Sequence, residues 1–310
     1  MSEDEIGRGT EAGDGVATEE VSAASAFELV AHETRVGVLD ALREADGGPL
    51  SFGEIRTAVG VEDPGQCHYH VDRLVGRFVR KTEDGYVLSP AGWRLVGAIV
   101  SGGVTASLEP GSVPAAGSCS ECGGSLRARL REGGVAIECV ECGFVQADPD
   151  VPAGALAGWE RSAIPAVVGR YVSLWEVAAS HGFCPNCEGR VDRGVRRPGE
   201  SASANRPAAP AWFEGEDADA LVVTACRGCG FWWHAAVSIA ALSDPAVVGF
   251  HHEHGIDLRE RPWWTLDHLP LGECRVVDDP RRVHVRLALD DDVRTFTFDG
   301  DFELVDVERE

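Results

Sequence analysis

Four Cys-x-x-Cys pairs mark the middle of the chain: CSEC at 119–122, CVEC at 139–142, CPNC at 184–187 and CRGC at 226–229. A two-residue spacer lets both thiolates of a tight knuckle point at one ion. Two knuckles then complete a tetrahedral four-sulfur site with bonds of about 2.3 Å. Gly143 and Gly230 directly follow the second cysteine of their pairs, where the turn calls for positive φ. Paired in order, Cys119, Cys122, Cys139 and Cys142 form one site, and Cys184, Cys187, Cys226 and Cys229 the other. The gaps of 16 residues (123–138) and 38 residues (188–225) fit one hairpin and one hairpin with a polar insertion at about 196–219. A redox dithiol would instead need a knuckle at a helix N-terminus after a strand. Four pairs in repeated order favour two structural Zn2+ ions per chain, in closed sites that hold a fold and do no catalysis.

The pairs belong to a longer repeat. Each half runs Cys-x-x-Cys, a strand-like stretch, then CVECGF or CRGCGF, and each then carries PAVVG, at 165–169 and 245–249. This reads as a duplicated unit of ribbon and helix, over 118–180 and 181–272. From Glu273, CRVV, RVHVRLAL, RTFTF and FELVDV alternate between turns at 278–280, 290–292 and 299–300, which predicts an antiparallel meander over 273–310. Cys274 reads as a buried strand residue.

The N-terminal third has a different grammar. Residues 1–21 are acidic and rich in Gly and Ala, the composition of a disordered tail. Ser25 with Glu28, and Ser51 with Glu54, read as capping boxes that open a first and a second helix. Asp63 and Pro64 open a third, which carries GQCHYHVDRL, with Gln66 in the reciprocal place. Asp84-Gly85 is the turn of a hairpin between Phe78–Lys81 and Tyr86–Leu88, and Ser89-Pro90 starts a fourth helix. Helix, helix, turn, helix, hairpin, helix within 22–105 predicts a winged helix-turn-helix. A Pro/Gly/Ser stretch at 106–117 reads as a linker. The whole is then an α+β chain: winged helix, two ribbons each followed by a helix, and a C-terminal meander.

AHETRVGVLDAL, LSFGEI, YHVDRL and YVLSPAGWRL together resemble ArsR-type transcriptional regulators, in a form common in haloarchaea, over residues 25–102. The resemblance implies a homodimer on a pseudo-palindromic duplex, with the fourth helix in the interface. The metal-sensing cysteine pair of that family is absent here, so metal sensing is not implied.

In the third helix Val71, Leu74, Val75 and Phe78 are expected in the core. Gln66, His68, Tyr69 and Arg73 are the candidate base readers, and Arg77, Arg80 and Lys81 the candidate phosphate contacts. His70 suits packing or the groove equally. Cys67 with His70 could grip a metal only with a third ligand, and none is in view.

Charge is consistent with this despite a formal net of -23. Asp and Glu number 51 against 28 Lys and Arg, and Lys81 is the sole lysine. That balance looks like a salt-accumulating cytoplasm, where carboxylates retain hydration water. In concentrated salt the counterion-release part of DNA affinity is mostly lost, so hydrogen bonds to base edges and DNA shape carry more of it. Ten cysteines, no signal-peptide pattern and no 18-residue apolar run predict a cytoplasmic protein with no membrane partner.

HHEH at 251–254 reads as a helix end rather than a metal cluster, and the tryptophans at 175, 232–233 and 263–264 as core, with an effector pocket as the alternative. No phosphate loop, His-Glu-x-x-His or nucleophile elbow occurs, and no enzymatic activity is expected. The expected role is a DNA-binding regulator whose ribbons serve regulation or assembly. Its rivals are a ribbon adaptor of the transcription machinery without an operator of its own, and an RNA-processing factor.

Overall fold

The computed structural model describes residues 21–197, 200, 220–269 and 274–310. Most of the acidic N-terminal stretch and most of the insertion read at 196–219 lie outside the described residues. The chain divides into two compact units, one ending at Val100 and the other starting at Ser101. Among the described residues no helix is long and apolar enough to cross a membrane.

The N-terminal unit runs α1 (Ala23–Glu28), α2 (Glu33–Glu44), α3 (Phe52–Val59), α4 (Pro64–Leu74), β1 (Val79–Lys81), β2 (Tyr86–Leu88) and α5 (Pro90–Val100). One long first helix from Ser25 does not form. Ser22 caps α1 instead, and His32, in extended conformation, accepts the Thr34 N–H through Nδ1 and starts α2 afresh. A side chain that satisfies an orphan N–H competes directly with continuation of the helix. The Ser51–Glu54 capping box forms with both of its bonds, and Asp63 caps α4 by accepting from the Gly65 and Gln66 N–H groups.

Val38, Leu39 and Leu42 of α2 meet Ile55, Cys67, Val71 and Leu74 in one core. Val75 is a correction: it is the C-cap of α4 in extended conformation, 37 % exposed. Chain reversal at the cap turns its side chain off the helical face. Leu50 pairs with Tyr86 through two backbone hydrogen bonds of 3.0 and 2.9 Å, adding a third edge to the β1–β2 hairpin. Gly92 explains the LSPAG stretch: a Cβ there would overlap the Phe78 carbonyl oxygen, so α5 meets the hairpin only through glycine.

Among its described residues the C-terminal unit holds three antiparallel sheets. The first is β3 (Gly111–Ser118), β4 (Ser125–Arg131), β5 (Gly134–Cys139) and β6 (Val145–Ala147), in that order. After it come α6 (Ala153–Leu156) and α7 (Ile164–Ser180), which buries Ile164, Val167 and Val168 against Leu126, Ala128 and Ile137. The second sheet is β7 (Val191–Arg196), β8 (Leu221–Cys226) and β9 (Trp232–Ala236), followed by α8 (Val237–Ala241) and α9 (Pro245–Glu253). The third is β10 (Cys274–Val277), β11 (Arg282–Leu289), β12 (Asp292–Asp299) and β13 (Leu304–Arg309), the expected meander, with Cys274 buried. Val247 and Phe250 of α9 share its core with Val283, Val285, Leu287, Phe296 and Phe298.

The 106–117 linker is the larger correction. Residues 111–118 are β3, in register with β4 from Gly111↔Leu130 to Ser118↔Ser125. Pro114 cannot donate to a ladder, but β3 is an edge strand, where that costs little. Gly, Ser and Pro mark an edge strand as readily as a linker, and only the burial of Val113 separates the two.

Candidate functional site

The duplicated cysteines come together in two groups, as their order predicts. Cys119, Cys122, Cys139 and Cys142 form one, and Cys184, Cys187, Cys226 and Cys229 the other, each with all four sulfurs within 4.8 Å of one another. The first backbone bonds of the knuckles repeat between the groups. Cys119 N–H donates to the Gly124 carbonyl and Cys184 N–H to that of Gly189; Cys139 N–H donates to Phe144 and Cys226 N–H to Phe231. Gly123, Gly143 and Gly230 take φ near +70°, and Glu188 takes the same left-handed turn at +60° where the first knuckle has Gly123.

The geometry suits a metal ion. With metal–sulfur bonds of about 2.3 Å, the edge of a regular tetrahedron is about 3.8 Å. Cys119 and Cys142 lie 3.6 Å apart, Cys122 and Cys139 3.5 Å, Cys184 and Cys229 3.8 Å, and Cys187 and Cys226 3.5 Å. Each group has two buried and two exposed cysteines, so each could hold an ion at the rim of its sheet.

The last cysteine of each group is shifted toward the thiolate. The Phe144 N–H and the Cys122 thiol draw Cys142 below the usual thiol range. At the matching place Cys229 is opposed by burial, yet the Phe231 N–H, the Asn186 amide and the Cys187 thiol bring it down to about 6. The Gly124 N–H favours a Cys122 thiolate, but the Cys142 and Cys139 sulfurs outweigh it and push Cys122 up to about 12. Burial pushes Cys184 up to about 12. A cation bound at either group would displace the protons that its thiols hold.

The seven candidate DNA-contacting residues of the N-terminal unit, Gln66, His68, Tyr69, Arg73, Arg77, Arg80 and Lys81, are all exposed, Tyr69 at 60 %. Asp72 Oδ2 lies 3.1 Å from His68 Nε2. Among the described residues Arg73, Arg77, Arg80 and Lys81 have no ion pair. Several arginines of the C-terminal unit are ion-paired, Arg127 and Arg129 with Glu138, Arg227 with Asp192, Arg281 with Glu200 and Arg294 with Asp292 and Glu253, while others such as Arg170 and Arg261 have no ion pair among the described residues. His70 is buried, its ring 4.1 Å from that of His32, so it packs rather than reads. Cys67 is buried and, among the described residues, joins no metal-competent group.

The HHEH stretch ends α9. His251 is fully buried, bonded to the Val247 carbonyl and to His268 Nε2 at 2.9 Å, and His254 bonds the Phe250 carbonyl. Glu253 pairs with Arg294, His252 is exposed, and none of them belongs to a metal-competent group among the described residues.

Sequence reasoning missed the polar centre of the C-terminal unit. Glu176 of α7 is buried and ion-paired to Arg193 of β7, and it accepts from Trp233 Nε1 of β9 at 2.8 Å. Its signal was a lone carboxylate in the otherwise apolar run LWEVAA.

Two other carboxylates make stability depend on pH. Burial opposes the charge of Glu138, but Arg129 and Arg127 outweigh it and hold its carboxyl below the usual range. The Arg281 hydrogen bond holds Glu200 at about 2. Folded values below unfolded ones mean a contribution fully present above about pH 4.5 and lost as pH falls toward about 2. Thermal melts across that window are expected to show falling stability, with a shallower slope in Glu138→Gln. An unchanged slope in that variant, at equal metal content, contradicts the assignment.

Residues 116–304 match the model of a family described as "Domain of unknown function (DUF7351)". Residues 23–99 match a second, described as "Domain of unknown function (DUF7347)". No curated protein and no solved structure matches the chain.

Proposed function

The chain belongs to the family described as Domain of unknown function (DUF7351), and from that premise we propose that it is a DNA-binding transcriptional regulator with a zinc-stabilised C-terminal unit. The observation that carries this reading is the exposed surface of α4, β1 and the turn between them, where, among the described residues, Arg73, Arg77, Arg80 and Lys81 stand without ion pairs in a chain of net charge -23. Free cations are what a phosphate backbone recruits, and Gln66, Tyr69 and Arg73 on the same helix offer groups that read base edges. The helix–helix–turn–helix order, the hairpin and its Leu50 bridge support a winged helix-turn-helix of the ArsR-like kind, in which α4 enters the major groove. A dimer through α5, and a cytoplasm rich in salt, belong to the same reading.

Zinc is the metal we assign to the two groups, because four thiolates at tetrahedral separation are its usual structural donor set. Cys119, Cys122, Cys139 and Cys142 would hold one ion, and Cys184, Cys187, Cys226 and Cys229 the other. A closed four-sulfur site supplies folding energy and leaves no open position for substrate. An adaptor without its own operator is the second reading. It is favoured by the exposed apolar side chains Leu174, Val177 and Phe183 around the end of α7.

Selection of binding sites from random duplexes, followed by titration of variants, tests the proposal. Arg73→Ala is expected to relax base preference and cost about 1–3 kcal/mol. Lys81→Ala is expected to weaken all sequences evenly. If the full chain selects no sequence while metal-loaded and folded, the regulator reading fails and the adaptor gains.

A further inference from the structure

We propose that the C-terminal unit binds an alkylated ammonium cation in a cavity of about 540 Å3 walled by Tyr171, Trp175, Phe231, Asn186 and Asp150. The inference is independent of whether the N-terminal unit binds DNA.

Three rings form one corner of this cavity at steep mutual angles. Tyr171 and Trp175, both on α7, have centroids 5.7 Å apart and planes at 64°. Trp175 and Phe231 lie 5.2 Å apart at 85°. Phe231 follows the last cysteine knuckle, and its N–H and carbonyl form part of the knuckle's bonding. Trp233 packs behind, 5.9 Å from Trp175 and 5.6 Å from Phe231, and its own bond to Glu176 fixes it. The corner is therefore rigid, built from one helix and one metal-competent turn. Tyr171, Trp175 and Phe231 line one side of the cavity, where an aromatic face attracts a cation within about 6 Å.

Charge selects the sign of the ligand. Asp150 is the one charged side chain among the described residues that line the cavity, and it makes no ion pair among them. No Arg, Lys or His lines the wall, so nothing there would hold an anion. A single carboxylate is too small a donor set for calcium or magnesium, which take six or more oxygens. Potassium holds its water too firmly to exchange it for aromatic faces, whereas an alkylated ammonium is weakly hydrated and presents methyl groups to them. Ser101, Gly102, Gly103 and Ala106 make another part of the wall small and uncharged, which leaves room for a short neutral tail on the cation.

The test is calorimetric titration of the full, metal-loaded chain with choline chloride, in KCl buffer, against its neutral isostere 3,3-dimethylbutan-1-ol. Choline is expected to bind, and the isostere to bind about tenfold more weakly or not at all, since the two differ in charge and not in shape. Asp150→Asn, at an exposed position, is expected to weaken choline severalfold with melting temperature and metal content unchanged. Trp175→Phe should retain part of the affinity and Trp175→Leu lose it. No heat with choline, equal affinity for the alcohol, or wild-type binding by Asp150→Asn would each overturn the proposal.

Discussion

Chelating the metal from the purified protein is expected to unfold the C-terminal unit while residues 21–100 keep their helices. The magnitudes decide this. A structural four-cysteine zinc site contributes an apparent binding free energy of about 10–16 kcal/mol, whereas a whole domain is stable by only about 5–15 kcal/mol. Here the dependence is sharpened because knuckle cysteines are themselves core residues: Cys119 and Cys139 pack with Leu126, Ile137 and Val168, and Cys184 and Cys226 pack with Ala179 and Val191. Elemental analysis should find two ions per chain, with Cys122→Ser and Cys229→Ser each losing one. Proteolysis after chelation should degrade the chain from about residue 101 onward and spare the N-terminal fragment, which has its own caps and core. A metal-free chain whose C-terminal unit resists protease, or one ion shared by both groups, sinks the two-site account.

Removing the Glu176 carboxylate comes second in expected size. Its side chain is 6 % exposed and that of Arg193 11 %, so the pair sits in a nearly dry interior. Breaking such a pair from one side leaves an uncompensated buried charge and costs about 3–5 kcal/mol. Glu176→Ala also strands the Trp233 indole N–H, and Arg193 Nε already has no partner among the described residues. Denaturant unfolding of the metal-loaded protein should show the loss in the C-terminal transition alone. The double variant Glu176→Leu, Arg193→Leu should recover most of it, because paired removal leaves no orphan charge. A single-variant cost under about 1 kcal/mol would mean that water reaches the pair.

The parts of this fold legible in the sequence are those where one residue type has few physical uses. Cysteine spacing located both metal-competent groups and their pairing, and Ser51, Asp63 and Pro64 marked helix starts because orphan N–H groups need such caps. The meander was legible because alternation in RVHVRLAL is a period-two signal on a sheet with one buried face. Where a residue type serves several ends, reading failed. Ser25 looked like a cap, but Ser22, three residues earlier, took the role. The β3 strand was hidden by its Gly, Ser and Pro content. Glu176, Arg193 and Trp233 come together from α7, β7 and β9, and no local pattern reports a contact between residues that far apart.

Pro114 has a consequence for how the molecule meets its own copies. A four-stranded sheet with an open side is a template on which an identical chain can continue the ladder. The edge strand β3 carries Pro114, a residue with no N–H, its ladder to β4 shifts register between Ala115 and Ser118, and near its end Gly117 lies against the Trp264 backbone. A second chain approaching that side would find too few consecutive donors to nucleate an intermolecular strand. The same residues that disguise the strand as a linker thus keep the ribbon from polymerising, and a Pro114→Val chain should gain a tendency to form fibrils under conditions where the native one remains dispersed.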